Sequence, residues 1–276
     1  MNDHFIEFEK ISIGFGDQPV LKEVSFFVDQ GETLVIMGRS GVGKSVALKI
    51  LMGFLKPDSG RVIVSGQDVT QWTEKQFQEL HKRVTMVFQS GALFDSLTAA
   101  ENVAFPLVGK PDWDDGKIQA RVKELLDMLE VEGLADTLPG ELPTGTKRAV
   151  AIARGLAMEP EAIFYDEPTT MVDPIMSAHV AELILKLKKT LKKTSIVVTH
   201  DTHLGEKLAD RIVFLHEGRA EFFGPWKDFA ASGDPLLKHF LAEDRLIPAL
   251  DMVIGDPIDV SAQARDAKAQ VSARNV

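Results

Sequence analysis

The 276-residue sequence contains no cysteine. Disulfide bonds, thiolate metal sites and a thiol nucleophile are therefore excluded. No hydrophobic run approaches the roughly 18 residues needed to cross a bilayer. The first ten residues, MNDHFIEFEK, lack the basic start and apolar stretch of a secretory signal, so we expect none. A function at a membrane would need another chain as its anchor.

Positive charge is also in short supply, since the formal net charge is −10. This balance disfavours a general electrostatic attraction to nucleic acid or to an anionic bilayer. It does not disfavour binding of ATP, whose phosphates need only local donors. With 45% hydrophobic and 26% charged residues, the composition is typical of globular proteins.

A glycine-rich segment, GRSGVGKS at 38–45, follows a short apolar run at 33–37 and precedes residues with helical spacing at 44–54. Strand, glycine-rich loop and helix form the context that a P-loop requires. The loop amides and the helix N-terminus would bind phosphates. Lys44 would reach the β- and γ-phosphates, and the Ser45 hydroxyl would bind Mg²⁺. The candidate nucleotide-binding residues are Gly38, Ser40, Gly41, Gly43, Lys44, Ser45 and Val46.

Two carboxylates, Asp166 and Glu167, end an apolar run that we predict to be a strand at 162–165. Asp166 would hold Mg²⁺, directly or through water. Glu167 would orient or deprotonate the water that attacks the γ-phosphate. Paired acids at a strand end are common and are often simply solvated, so this interpretation depends on the P-loop.

Gln89 and His200 each follow a predicted strand. Gln89 at that position can bind Mg²⁺ or the attacking water, and His200 can hydrogen-bond the γ-phosphate. Each in isolation would be interpreted as a surface or structural residue.

The order P-loop, Gln89, Asp166-Glu167 and His200 resembles that of ABC transporter ATPases over residues 3–245. The resemblance implies an ATPase that uses ATP and Mg²⁺. It places Asp173, in the segment TMVD at 170–173, facing a partner subunit, and Phe15 against adenine. A core position at the end of a strand is the alternative for Phe15.

The segment LPTGT at 142–146 departs from the Leu-Ser-Gly-Gly-Gln signature of that family. Pro143 stands where the family has a serine that contacts the γ-phosphate bound by the other subunit. Thr144 replaces a glycine, whereas Gly145 remains as a nucleotide-binding candidate. Because Pro143 has neither a hydroxyl nor an amide hydrogen, we expect a weak signature half-site and low ATPase activity of a lone homodimer.

Two segments resemble the ATPases of Mce-type lipid transport systems, the MlaF-like group. They are GKSVALKIL at 43–51, with Val46 where many relatives have threonine, and FQSGALFDSLT at 88–98, which continues into ENVAFPL at 101–107. The resemblance implies a homodimer under an integral-membrane permease at the cytoplasmic face of the inner membrane, with an Mce-domain lipid-binding protein and no nucleic acid. Leu93 and Phe94 would either receive a permease helix or pack inside the helical insert.

The fold class that follows is α/β, a P-loop NTPase (RecA-like) core with an N-terminal antiparallel β subdomain and an inserted α-helical subdomain. We predict four regions: 3–90, the β subdomain with the first part of the core; 91–158, the helical subdomain with the signature segment; 159–245, the rest of the core with a C-terminal helix; and 246–276, a C-terminal tail. Within them we expect strands at 5–8, 11–13, 24–28, 61–65, 83–88 and 195–199, helices at 118–129, 147–158, 175–191 and 234–241, and a hairpin at 211–223.

Three other functions remain open from the sequence. A nucleotide-binding regulatory partner that hydrolyses ATP weakly or not at all is suggested by Pro143 and Thr144. An importer ATPase for a polar solute would follow if the segment after Gln89 were misinterpreted. A protein acting on ribosomes or DNA is disfavoured by the acidic charge and by the presence of only one cassette.

Overall fold

The computed structural model describes residues 4–245 of the chain, with the side chains of residues 243–245 excepted. The predicted C-terminal tail, residues 246–276, lies outside the described residues.

A four-stranded antiparallel sheet begins the chain. Its strands are β1 (Ile6–Phe15), β2 (Gln18–Val28), β4 (Ser59–Val64) and β5 (Gln67–Asp68), in the order β2-β1-β4-β5. Sequence patterning predicted two strands at 5–8 and 11–13, but they form the single strand β1. Lys10 has a positive φ of 46°, and the pairing register shifts there, so the alternation of buried residues is broken without ending the strand.

The second sheet has six strands and carries the candidate site. Its strands are β3 (Thr33–Met37), β6 (Val84–Val87), β7 (Ala162–Asp166), β8 (Thr194–Thr199), β9 (Arg211–His216) and β10 (Arg219–Pro225), in the order β10-β9-β3-β8-β7-β6. All neighbours are parallel except β9 and β10, which form the predicted hairpin. Parallel pairing brings the carboxyl ends of β3, β6, β7 and β8 to one edge.

The helices connect these strands and fill the insert between β6 and β7. They are α1 (Lys44–Leu51), α2 (Glu74–Arg83), α3 (Ala99–Ala104), α4 (Asp115–Met128), α5 (Thr144–Leu156), α6 (Pro174–Leu191), α7 (Thr202–Leu208), α8 (Trp226–Ala230) and α9 (Pro235–Arg245), with 3-10 turns at Glu132–Leu134 and Pro139–Glu141. Residues 91–158 contain helices and turns without a strand, as expected for a helical subdomain.

Two hydrophobic cores lie on opposite faces of the six-stranded sheet. Along β3, Val35 and Met37 contribute to one core, and Leu34 and Ile36 contribute to the other. One core packs α4, α5 and α6 against the sheet, whereas the other packs α1 and the antiparallel sheet. Burial of both faces explains why these strands are continuous apolar runs. In the described residues 4–245, no helix is long and apolar enough to cross a membrane.

The structure corrects two helix predictions. The helix after the P-loop ends at Leu51, and Phe54 is 51% exposed and does not belong to its apolar face. Gly53, with a φ of 73°, turns the chain out of the helix before that residue. The helix predicted at 147–158 begins earlier, at Thr144, directly after Pro143.

Candidate active site

The phosphate-binding loop connects β3 to α1 and depends on glycine at defined points. Gly38 has a φ of 150°, and a Cβ added to it would lie 2.4 Å from the Leu215 carbonyl oxygen. Gly43 has a φ of 105°, and its Cβ would lie 2.7 Å from Leu21 Cδ2. At Gly41, by contrast, a Cβ would meet no atom within 4 Å. The loop is thus packed tightly behind and open in front, as a backbone cradle for phosphates requires.

Lys44 lies at the start of α1 with only 5% of its surface exposed. Its ammonium donates hydrogen bonds to the carbonyl oxygens of Gly38 at 2.8 Å and Arg39 at 3.1 Å. It also forms an ion pair with Glu167, with 3.1 Å between Nζ and Oε1. All three ammonium hydrogens therefore have partners.

Glu167 follows β7, and its side chain contacts three other residues of the site. Its backbone has a positive φ of 47°, a conformation that is strained for a side chain of this size. Its Oε2 accepts a hydrogen bond from the Thr170 hydroxyl at 2.9 Å and lies 2.9 Å from His200 Nδ1. With Lys44 at Oε1, both oxygens of the carboxylate are oriented by neighbours.

These contacts shift the pKa of Glu167 and the pKa of His200 in opposite directions. Burial alone would raise the pKa of Glu167, but the hydrogen bond to His200, the charge of Lys44 and the hydroxyl of Thr170 outweigh burial, so the pKa lies below its ordinary value. The hydrogen bond to Glu167 raises the pKa of His200 above its ordinary value, against the effect of partial burial. The pair therefore favours an ionised carboxylate beside a protonated imidazole.

Ser45 and Asp166 form the candidate metal-binding pair. The Ser45 hydroxyl donates to Asp166 Oδ1 at 2.7 Å. Burial raises the pKa of Asp166, and the neighbouring charge of Glu167 raises it further, while the Ser45 hydrogen bond opposes both. A cation between a hydroxyl and a buried carboxylate fits the oxygen preference of Mg²⁺, which completes its shell with water and phosphate oxygens. These residues therefore fit the predicted metal.

A cavity of about 400 Å³ lies in front of the loop at the carboxyl edge of the sheet. Its lining consists of Val20, Ser40, Gly41, Gly43, Lys44, Ser45, Val46, Gln89, Glu167, Thr170 and His200. Nine of these eleven lining residues are sequence-predicted site residues, and Gly38 and Asp166 join them through Lys44 and Ser45. Sequence reasoning did not place Val20 and Thr170 in the site. The sequence did contain one indication of the hydrogen bond from Thr170 to Glu167, because Thr170 lies three residues after Glu167.

Besides Gly38 and Asp166, three predicted residues lie outside the lining of this cavity. Phe15 ends β1 and is 52% exposed, so its alternative as a core residue is wrong, and stacking on adenine stays a prediction. Asp173 accepts a hydrogen bond from the Met176 amide and caps α6. Gly145 is buried against Met176, whose Cε would lie 2.6 Å from an added Cβ. The expected roles of Gly145 in nucleotide binding and of Asp173 facing a partner subunit stay predictions.

The divergent signature segment begins helix α5. Pro143 is its N-cap residue and forms no side-chain capping hydrogen bond, whereas serine is among the preferred residues there. Pro143 and Thr144 are both exposed. The first turn of α5 therefore has fewer donors to offer than a serine-glycine sequence would provide.

Comparison with known proteins identifies relatives over most of the chain. The family model described as ABC transporter matches residues 21–170. The intermembrane phospholipid transport system ATP-binding protein MlaF of Haemophilus influenzae is 34% identical over 87% of this chain and 91% of that protein. The methionine import ATP-binding protein MetN of Clostridium tetani is also 34% identical, over 88% of this chain and 76% of that protein. A probable ribonucleotide transport ATP-binding protein, mkl of Mycobacterium tuberculosis strain H37Rv, is 31% identical over 88% of this chain and 68% of that protein.

Among solved structures, a dimeric post-hydrolysis state of the ATP-binding cassette MJ0796 bound to ADP and Pi is similar to this chain. It is 31% identical, with a TM-score of 0.72, over 80% of this chain and 98% of that one. The predicted class of fold is therefore confirmed. The three relatives are named for three different cargoes, so the shared feature is the ATP-binding cassette.

Proposed function

Because this chain belongs to the ABC transporter ATP-binding family, and therefore hydrolyses ATP with Mg²⁺, we propose that it powers transport of phospholipid or another hydrophobic molecule between an inner and an outer membrane. The observation that carries this proposal is the segment after Gln89, whose sequence resembles that of Mce-type lipid transport ATPases and whose side chains form an exposed apolar surface. Of the three transport proteins named above, the one that this chain spans most completely, at 91%, is named for phospholipid transport.

The exposed surface, here called the docking surface, consists of Phe94, Phe105 and Val108. Their exposures are 43%, 51% and 64%, and the rings of Phe94 and Phe105 lie 4.5 Å apart between centroids. Leu93, in contrast, packs against the core of the helical insert, which supports the packing alternative for this residue. The exposed Phe94 remains available to a permease helix. An exposed apolar surface of this kind suits the apolar face of a short helix from a permease.

In the proposed assembly, two copies of this chain lie at the cytoplasmic face of the inner membrane beneath permease subunits, with an Mce-domain lipid-binding protein beyond them. Support comes from the dimeric state of the similar cassette structure. Each nucleotide would lie between the P-loop of one copy and the signature segment of the other, with Gly145 and Asp173 near the interface. Closure of the dimer would exclude water and complete the site.

For hydrolysis we propose that Glu167 positions and deprotonates the attacking water, and that His200, protonated beside it, holds the γ-phosphate. Lys44 would stabilise charge on the transferring group, and Gln89 would orient the water. Ser45, Asp166 and Gln89 would hold Mg²⁺, which neutralises phosphate charge when bound.

The test is purification of the tagged chain from membranes, followed by identification of the proteins and lipids that accompany it. We expect a permease and an Mce-domain protein, together with bound phospholipid. Replacement of Phe105 by aspartate should release the permease, because a charge in the centre of an apolar contact is left without a partner. The exposed Lys123→Asp variant of the same subdomain serves as the control and should retain the permease. A permease without an Mce-domain protein or lipid would contradict the proposal.

An importer ATPase for a polar solute is the second candidate, because the methionine importer subunit matches at the same identity as the phospholipid relative. Recovery of a soluble solute-binding protein in the same experiment would favour it. Both candidates use the same nucleotide site, so the ATPase assignment does not depend on the choice between them.

A further inference from the structure

We propose that Arg148 is a positioning residue for ATP hydrolysis, which fixes the loop carrying Glu167 and the strand end before Gln89 to helix α5. This inference rests on the hydrolytic roles proposed above for Glu167 and Gln89. It deepens them, because it connects the helix that begins with the divergent signature to the reacting carboxylate.

The contacts of Arg148 reach both catalytic segments. Its Nη2 donates to the Thr170 carbonyl oxygen at 3.3 Å, and its Nη1 donates to the Phe88 carbonyl oxygen at 3.5 Å. The hydroxyl of the same Thr170 donates to Glu167 Oε2 at 2.9 Å. One residue therefore separates the guanidinium from the carboxylate, and Phe88 immediately precedes Gln89. Two planar donors on one group fix the distance between the two segments more strictly than separate contacts would.

The surroundings of Arg148 are poor for stability. The side chain is 4% exposed, and its buried Nε has no hydrogen-bond partner. Among residues 4–242, whose side chains the structure describes, no carboxylate lies within ion-pairing distance of it. Burial lowers the pKa of its guanidinium, and the two hydrogen bonds that it makes are long. Because a buried cation without a counterion is costly, an apolar side chain of similar length would serve the fold better. The benefit that Arg148 can still provide is to hold the two catalytic segments in position.

Arg154, six residues further along α5, provides a comparison. Its guanidinium donates to the carbonyl oxygens of Ala92 at 2.8 Å and Gly91 at 3.0 Å. Burial lowers the pKa of Arg154 too, although Arg154 is only partly buried, so the two arginines share a helix and the direction of this shift. Arg154 holds the segment after Gln89, but its hydrogen bonds do not reach the Glu167 loop. Comparison of the two separates loss of an arginine of α5 that binds backbone carbonyl groups from loss of the link to Glu167.

The experiment compares Arg148→Met and Arg154→Met in the full chain by steady-state phosphate release and thermal unfolding. We expect Arg148→Met to lower kcat by about tenfold or more, with KM for ATP changed by less than about twofold, because misplaced groups reduce transition-state stabilisation rather than substrate binding. Its Tm should equal or exceed that of the unmodified protein, since an uncompensated buried charge is removed. Arg154→Met should keep kcat within about twofold. Arg148→Lys should recover part of the loss, because an ammonium can reach one carbonyl but lacks the planar fork.

A double-mutant cycle with Thr170→Val tests the path. If Arg148 acts through Thr170, the effect of Arg148→Met should shrink to less than about threefold when the hydroxyl is already absent. A full effect in that background, an equal loss in Arg154→Met, or a fall in kcat that follows a fall in Tm would overturn the inference. Glu167→Gln is measured in parallel. Normal hydrolysis by that variant would overturn the proposed catalytic role of Glu167 itself. If Glu167→Gln loses hydrolysis while Arg148→Met hydrolyses ATP at the normal rate, only the positioning role of Arg148 is overturned.

Discussion

Replacement of Glu167 by glutamine separates the charge of this side chain from its position. Glutamine preserves the size and can still accept the hydrogen bond from the Thr170 hydroxyl, but it cannot accept a proton. General base catalysis contributes about 10²–10⁴ in rate, or about 2.7–5.4 kcal/mol at about 1.36 kcal/mol for each factor of ten. We therefore expect kcat for phosphate release at saturating MgATP to fall by about 10²-fold or more.

The control for this substitution is Glu161→Gln, just before β7. Glu161 is a surface carboxylate paired with Arg83 at 2.8 Å, so its replacement removes the same charge at the opposite end of β7, away from the site. It should change kcat by less than about twofold, because exposed ion pairs contribute little. Hydrolysis by Glu167→Gln within about threefold of the unmodified rate would refute the assignment of the base.

The same variant changes the titration of His200. The hydrogen bond to Glu167 is the largest cause of the raised pKa of His200, so removal of the carboxylate should lower that pKa toward its ordinary value. A histidine whose pKa is raised by folding stabilises the protein at pH values below its unfolded-state pKa, and this stabilisation is lost as pH rises through the folded-state pKa. This part of the pH dependence of stability should therefore shrink in Glu167→Gln. NMR titration of the imidazole measures the shift, and an unchanged pKa would show that the pair does not form in solution.

The affinity for nucleotide is a third property that Glu167→Gln should change. The ammonium of Lys44 is fully committed to Gly38, Arg39 and Glu167, so a phosphate must compete for it. A hydrogen bond to a charged group contributes about 1.5–3 kcal/mol, so removal of the Glu167 charge should tighten MgATP binding by about tenfold or more. Titration calorimetry should show a smaller gain for MgADP, which lacks the γ-phosphate. An equal gain for both nucleotides would contradict competition at Lys44.

Three other variants test separate parts of the site. Pro143→Ser combined with Thr144→Gly should raise kcat, by up to about 10²-fold if a missing donor to the γ-phosphate limits the rate, and no rise in phosphate release would show that the natural segment is adequate. Ser45→Ala should raise the Mg²⁺ concentration for half-maximal rate by about tenfold or more, since the hydroxyl is hydrogen-bonded to Asp166 in the candidate metal pair. Phe15→Ala should raise KM for ATP by about tenfold with little change in kcat, because base–aromatic stacking contributes about 1–3 kcal/mol, and an unchanged KM would exclude stacking there.

The parts of the site that could be predicted from sequence share one physical cause. Gly38 to Ser45, Gln89, Asp166-Glu167 and His200 all follow apolar runs that form parallel strands. Because parallel strands bring their carboxyl ends to one edge, residues far apart in sequence gather without any need to predict side-chain contacts. Local pattern and one topological rule were therefore sufficient to assemble the cavity.

Features that depend on packing between distant segments could not be predicted this way. Nothing in the local sequence around Arg148 indicates that its guanidinium reaches the carbonyl groups of Phe88 and Thr170, which lie 60 and 22 positions away. Phe54 continues the apolar spacing of α1, but the turn at Gly53 removes it from the helix. Periodicity describes which face a residue would occupy if the helix continued, and it does not locate the end of the helix.

Helix α2 was missed for a different reason. Its sequence, EKQFQELHKR, is strongly polar, and Phe77 and Leu80 are its only two buried residues. The start signal was nevertheless local, because Thr73 and Gln76 form a capping box in which each side chain meets the backbone of the other. Capping chemistry thus locates helices that are too exposed for apolar periodicity to reveal.

The proposed docking surface and the proposed hydrolysis site are joined by a short and rigid path. Only five positions separate Gln89 from Phe94, and α5 holds this segment by hydrogen bonds from Arg148 at one end and Arg154 at the other. Arg154 also lies over the Phe94 ring, 5.6 Å from its centroid. A permease helix that displaces Phe94 must therefore either move α5, with its signature segment, or break these bonds. Because packed helices shift as units more readily than they lose buried hydrogen bonds, α5 would move together with this segment, and the hydrogen bond from Arg148 to Thr170 would transmit the movement to the Glu167 loop. Cargo movement and hydrolysis would then share one mechanical element, the helix that begins at Thr144.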